Sequence, residues 1–77
     1  MNKLQLQDHF YFQLIAKNIQ PIQSRYIAYK LIENYNILSF NFLVLQSDYF
    51  IIETENKEKY KIELLGLDIP ANSIIKI

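Results

Sequence analysis

The chain has 77 residues, of which 51% are hydrophobic and 21% are charged, a composition typical of a small globular domain rather than a disordered segment. It contains no cysteine, which excludes a disulfide framework, a thiolate zinc site and a cysteine nucleophile. Eight basic and eight acidic residues cancel, so no overall field attracts nucleic acid or an anionic membrane. We therefore expect one domain over residues 1–77, with no bound cofactor.

The first part of the chain is predicted to form two helices. Asp8 is a candidate N-cap for a first helix that ends near Asn18, because apolar residues follow it at helical spacing. The residues expected on that apolar face are Phe12, Ile15, Ala16 and Ile19. Proline is well tolerated as a first helical residue, so a second helix should run from Pro21 to about Tyr35, with Asn34 and Asn36 at its exit.

The rest of the chain alternates apolar and polar residues at the two-residue period of strands. The predicted strands are Leu38–Gln46, Tyr49–Glu55 and Lys59–Leu65. Turns are expected at Ser47-Asp48 and Asn56–Glu58, and Gly66 and Pro70 interrupt the chain. Ser73–Ile77 is either a fourth strand or a helical turn, and its three isoleucines favour the strand. The predicted fold is α+β, with two N-terminal helices packed on one face of a three- or four-stranded antiparallel meander.

This arrangement leaves two groups of apolar residues without an obvious place in the core. On the second helix, the side opposite the predicted core face carries Ile22, Tyr26 and Tyr29. On the outer face of the sheet, near the Ser47 turn, lie Leu43, Leu45, Tyr49 and Ile51. The first helix is one candidate cover for the helical group, and the C-terminal isoleucines are one for the sheet group. If either group stays exposed, it predicts an interaction surface.

The chemical groups of the sequence do not form a recognisable catalytic or metal-binding pattern. His9 is the single histidine and is predicted near the start of the first helix, where a surface role is more common than general-base catalysis. The three aspartates are scattered and fit no known ligand spacing. The longest apolar runs have four residues, far below the ~20 that a membrane-spanning helix needs. We expect no enzymatic activity, no metal and a cytoplasmic location.

By elimination, the leading hypothesis is a protein-binding domain that acts by steric occlusion of another protein. The abundance of isoleucine, lysine and asparagine favours a low-GC genome, and small uncharged proteins of this kind are typical inhibitors or immunity and anti-defence proteins of phages and mobile elements. In a virus, the expected location is the cytoplasm of the host cell. The alternative is a self-associating accessory subunit, for example a homodimer. Nucleic-acid binding is the third hypothesis, disfavoured by the zero net charge.

Overall fold

A computed structural model describes residues 2–64 and 74–77. Two helices precede a four-stranded antiparallel sheet, which confirms the predicted α+β class and element order. The elements are α1 (Lys3–Ile15), α2 (Pro21–Glu33), β1 (Phe40–Leu45), β2 (Tyr49–Thr54), β3 (Lys59–Glu63) and β4 (Ile74–Lys76). The chain divides into a helical unit, residues 1–36, and a sheet unit, residues 37–77. The single domain over 1–77 stays a prediction, and Leu65, Gly66, Pro70 and Ser73 lie outside the described residues.

The N-cap of helix α1 is Asn2, six residues before the predicted N-cap Asp8. The side chain of Asn2 accepts a hydrogen bond from the backbone N–H of Gln5, whose own side chain accepts one from the N–H of Asn2. This reciprocal capping box satisfies two of the N–H groups that a helix start leaves unpaired. Asp8 therefore lies inside the helix, and so does His9, which is exposed.

The buried face of α1 also differs from the predicted one. Phe10 and Leu14, four residues apart, are fully buried, whereas Phe12 is 64% exposed and Ala16 is exposed. Of the predicted apolar face, Ile15 is half-buried and Ile19, beyond the helix end, is buried. The sequence is apolar on more than one side of α1, so periodicity alone did not identify the side that packs.

Helix α2 starts at Pro21 as predicted and ends at Glu33, two residues before the predicted end. Asn34 caps its C-terminus, and Asn36 has a positive φ of 54°, a conformation that asparagine tolerates better than most residues. The predicted core face, Ile27, Ala28, Leu31, Ile32 and Tyr35, is buried except for Tyr35, which is half-buried. The residues buried on α2 are Gln23, Ser24, Ile27, Ala28, Leu31 and Ile32.

The two helices run antiparallel within the helical unit. Lys3, the first residue of α1, pairs with Glu33, the last residue of α2, at 3.5 Å. Nearer the middle of α1, Asp8 accepts from Arg25 at 2.8 Å. Both ion pairs are well exposed, so they contribute little to stability but fix which sides of the two helices adjoin.

The sheet is a simple meander in the order β1-β2-β3-β4. One face of the sheet is buried. Residues opposite each other in antiparallel strands share a face, and the buried residues of β2, β3 and β4 lie opposite one another. The buried residues of this face are Phe40, Phe50, Ile52, Thr54, Tyr60, Ile62 and Ile74. Ile74 lies opposite Ile62 in β4, so Ile74–Lys76 is the strand favoured for the C-terminus.

A β-bulge interrupts the pairing of β1 with β2. Phe42 lies opposite Ile52, but the next pair is Val44 opposite Ile51, so Leu43 is an extra residue in β1. Beyond the bulge the alternation of faces is inverted, and Leu45 lies opposite the buried Phe50. The predicted alternation, with even positions of β1 on the buried face, therefore holds in pairing up to Phe42. Beyond it the pairing places Leu45 opposite a buried residue, although Val44 is half-buried and Leu45 stays exposed.

Candidate protein-binding surfaces

The bulge decides which residues form the apolar part of the outer sheet face. Leu43 and Val44 both stand across from Ile51, whereas Leu45 belongs with Phe50 on the other face, where it is 45% exposed. The register also brings in β4, because Ile75 lies opposite Lys61, which in turn lies opposite Ile51. We call the resulting set the sheet surface: Leu43, Val44, Tyr49, Ile51, Lys61 and Ile75.

The sheet surface crosses all four strands as one row. Val44, Ile51, Lys61 and Ile75 occupy neighbouring positions on successive strands, and cross-strand neighbours of this kind touch. The ammonium of Lys61 lies 4.8 Å from the centre of the Tyr49 ring. A lysine at this position of the row contributes an apolar aliphatic stem beside its charged head. Leu43 is 47% and Ile75 is 43% exposed, so water reaches both ends of an otherwise apolar row.

Charged residues border this row on the side of the β2–β3 turn. Glu53 lies opposite Lys59, and their side chains pair at 3.8 Å. Glu55 lies beyond the paired residues of β2 and is not opposite a lysine of β3. Instead its carboxylate accepts hydrogen bonds from the backbone N–H groups of Leu38 and Ser39, at 3.1 Å each for the shorter contacts.

These bonds to Glu55 shift its titration. Slight burial acts to raise the pKa of Glu55, but backbone N–H groups of Glu55 itself, Ser39 and Leu38 outweigh it and lower the pKa below the usual value. On β4, the ammonium of Lys76 donates to the carboxylate of Glu58, and this hydrogen bond raises the pKa of Lys76. Glu55 and Lys76 thus make contacts within the sheet unit. A general acid or base would need a carboxyl pKa that is raised or an amine pKa that is lowered, and both shifts here are in the opposite direction.

On α2, two of the three residues predicted opposite the core face are exposed, and the third is half-buried. Ile22 is 76% and Tyr29 is 49% exposed, while Tyr26 is half-buried with the ammonium of Lys30 5.9 Å from its ring centre. Ile22 and Tyr29 therefore remain largely accessible in the single chain. With Arg25 and Glu33, the three residues form a stripe that we call the helix surface.

Sequence reasoning missed the part that Arg25 plays in this stripe. The guanidinium carbon lies 3.9 Å from the centre of the Tyr11 ring, and Nη1 donates to Gln7 at 3.3 Å and to Asp8 at 2.8 Å. Tyr11 itself contacts Phe12 edge to face at 5.2 Å. The signal in the sequence was that Arg25 is the single arginine, but its partners lie on another helix.

Other kinds of site have no support among residues 2–64 and 74–77. No group of three or more side chains able to bind a metal comes together in that part of the chain. Of its helices, none is both long enough and apolar enough to cross a bilayer. No family model, no curated protein and no solved structure matches the chain.

Proposed function

We propose that the protein is a non-enzymatic binding protein that occludes a surface of another protein, as a stoichiometric inhibitor or immunity factor does, in the cytoplasm. The observation that carries this proposal is the apolar row across all four strands, Val44, Ile51, Lys61 and Ile75. A chain of 77 residues has little apolar surface to spare, so three partly exposed apolar side chains adjoining a lysine on one sheet face favour a contact.

The residue types of the sheet surface suit protein recognition. Tyr49 offers a large contact area with a polar tip, and it loses little conformational entropy on binding because Lys61 already restrains its ring. The Glu53–Lys59 pair supplies a polar border beside the apolar row, which is the usual anatomy of an interface. A partner with a complementary apolar patch would be covered over about 600–800 Å² per side.

The same face is poorly suited to nucleic acid. Lys59 lies opposite Glu53 and pairs with it, and Tyr49 lies opposite Glu63. Phosphate binding requires lysines or arginines that are not neutralised by neighbouring carboxylates. A stacking surface for bases would need more exposed aromatic rings than Tyr49 alone.

The experiment compares two arginine substitutions on either side of the bulge. Ile51→Arg places a charge in the centre of the sheet surface, whereas Leu45→Arg places the same charge on the other face, at a position that is already 45% exposed. Immobilised wild-type protein and both variants are used to capture proteins from cells of the source organism and its hosts. A captured protein is then purified, and its stoichiometry is measured by calorimetry.

We expect one partner to bind wild type and Leu45→Arg at a ratio of one to one, and to lose at least about tenfold in affinity for Ile51→Arg. Circular dichroism must show that both variants are folded. Equal binding of the same partner by Ile51→Arg and wild type would rule out the sheet surface as the contact.

A further inference from the structure

The exposed stripe of α2 has a charge pattern that matches itself when reversed. At about 100° per residue, Ile22, Arg25, Tyr26, Tyr29 and Glu33 fall within an arc of roughly 100°. Arg25 lies four residues before Tyr29, and Glu33 lies four residues after it. Tyr29 thus lies midway between the positive charge of Arg25 and the negative charge of Glu33.

Two such stripes pack against each other when the helices are antiparallel. Suppose that a two-fold axis passes between the Tyr29 residues of the two copies. A stripe residue four positions before Tyr29 in one copy then faces the residue four positions after Tyr29 in the other copy. Arg25 then faces Glu33 of the second copy, twice per dimer. The two Tyr29 rings, each 49% exposed in the single chain, meet at the axis.

Arg25 is oriented for this contact before it is made. Its hydrogen bonds to Gln7 and Asp8 both use Nη1, and the Tyr11 ring supports the guanidinium plane at 3.9 Å. Nε and Nη2 have no hydrogen-bond partner among the described residues. Those two atoms form the side edge of the guanidinium, which binds a carboxylate through two parallel hydrogen bonds.

Glu33 has a matching free capacity. Its contact with Lys3 is long, at 3.5 Å, and 70% of the lysine side chain is exposed. In the dimer, Glu33 would lie between Lys3 of its own chain and Arg25 of the second copy. The charges then alternate across the interface in the order Asp8, Arg25, Glu33 of the second copy and Lys3 of the second copy, a network that is worth more than isolated surface pairs.

We propose that the helix surface binds a second copy of this chain, with α2 packed antiparallel to α2 about Tyr29 and Arg25 paired with Glu33 of the second copy. The interface is on the helical unit, so it is independent of the sheet surface and of the function proposed for it. A dimer of this kind carries two sheet surfaces and would bind two partner molecules.

Two charge reversals test the pairing. In Arg25→Glu, residues 25 and 33 are both acidic, and in Glu33→Arg both are basic, so each variant alone opposes like charges at both contacts. Mixed together, the two variants restore opposite charges at both contacts. Lys57→Glu, an exposed reversal in the β2–β3 turn, is the matched control.

The readout is the molar mass by light scattering over about a hundredfold range of concentration. We expect wild type and Lys57→Glu to reach twice the chain mass of 9.2 kDa. Each helix variant alone should dimerise at least about tenfold more weakly, and the equimolar mixture should recover the wild-type mass. A wild type that stays monomeric overturns the proposal, as does a mixture of folded variants that does not recover.

A second test locates the two-fold axis without relying on charge. The natural chain has no cysteine, so Tyr29→Cys introduces a single thiol at the proposed axis, where two copies come within disulfide distance. Ile22→Cys places the thiol about 10 Å along the helix from the axis, too far from its copy to be bridged. Mild oxidation should cross-link the first variant and spare the second. Equal cross-linking of both would overturn the proposed geometry.

Failure of these tests leaves the sheet surface untouched. A strictly monomeric protein that still loses its partner through Ile51→Arg would support the proposed function and reject the dimer. A chain that dimerises normally but binds no partner protein would support the dimer and reject the proposed function.

Discussion

The guanidinium of Arg25 stacks on the ring of Tyr11, with 3.9 Å between its central carbon and the ring centre. This contact joins α1 to α2 on the exposed side of the helical unit, where Asp8 and Gln7 also accept hydrogen bonds from Arg25. One planar side chain therefore satisfies a carboxylate, an amide and an aromatic ring together.

We expect Arg25→Lys to destabilise the protein by roughly 0.5–1 kcal/mol although it preserves the charge. An ammonium is a point charge that cannot stack on Tyr11 while donating to both Gln7 and Asp8. Urea unfolding of the variant, beside Lys17→Arg as an exposed lysine–arginine exchange, measures the difference. Equal stability of Arg25→Lys and wild type would show that the stack is dispensable.

The burial of α1 predicts opposite outcomes for two phenylalanines. Phe10→Ala should cost about 3–5 kcal/mol because it leaves a cavity at a fully buried site. Phe12→Ala, at a site that is 64% exposed, should change the free energy of unfolding by less than about 0.5 kcal/mol. Denaturant titration of both variants checks the assignment of the buried face, and a reversed order of the two losses would refute it.

The backbone contacts of Glu55 predict a pH dependence of stability. Because the pKa of Glu55 is lower in the folded protein than the reference value of 4.5, its contribution is present above that pH. It is lost as the pH falls from about 4.5 through the lowered folded value. Glu55→Gln removes the charge that accepts the N–H groups of Leu38 and Ser39, and should cost about 1 kcal/mol at neutral pH, an amount reduced by exposure.

The control for this prediction is Glu53→Gln, because Glu53 pairs with Lys59 rather than with backbone amides. Melting curves of the two variants and wild type, recorded from pH 7 downward, separate the effects. The wild type and Glu53→Gln should lose the Glu55 contribution in acid, whereas Glu55→Gln should converge with wild type there. A constant difference between wild type and Glu55→Gln at all pH values would contradict the assignment.

The β2–β3 turn contains a site that glycine should improve. Lys57 has a φ of 65°, a left-handed conformation that strains a lysine. The turn is closed by the hydroxyl of Thr54, which accepts from the N–H groups of Asn56 and Glu58 at 3.3 Å each, so the conformation is fixed by its neighbours. Lys57→Gly should raise stability by roughly 0.5 kcal/mol, measured by thermal unfolding, since relief of strain exceeds the added entropy of the unfolded chain.

The comparison for this substitution is Lys59→Gly, two residues further on. Lys59 is in the regular part of β3 and pairs with Glu53 across the sheet. Glycine there should lower the melting temperature, because a strand position gains nothing from glycine and loses a cross-strand pair. A loss of stability in Lys57→Gly comparable with that of Lys59→Gly would mean that the turn does not need a positive φ.

Local sequence determined the fold class and the main boundaries of the elements. Pro21 fixes the start of α2 because proline suits a first helical turn, whatever the rest of the chain does. The alternation of apolar residues in β2 and β3 specifies strands with one buried face, and Asn56–Glu58 joins them as predicted. Each of these features depends on residues that are close in the chain.

Tertiary structure alone decided which surfaces these elements present. The choice between Phe10 and Phe12 depended on which side of α1 packs, whereas the capping box of Asn2 and Gln5, which sets the start of α1, is local. The bulge at Leu43 exchanged Leu45 for Val44 on the sheet surface, and β4 added Ile75. Burial and strand register are set by contacts between residues far apart in the chain, whereas the two-residue and 3.6-residue periods record only each element's own geometry.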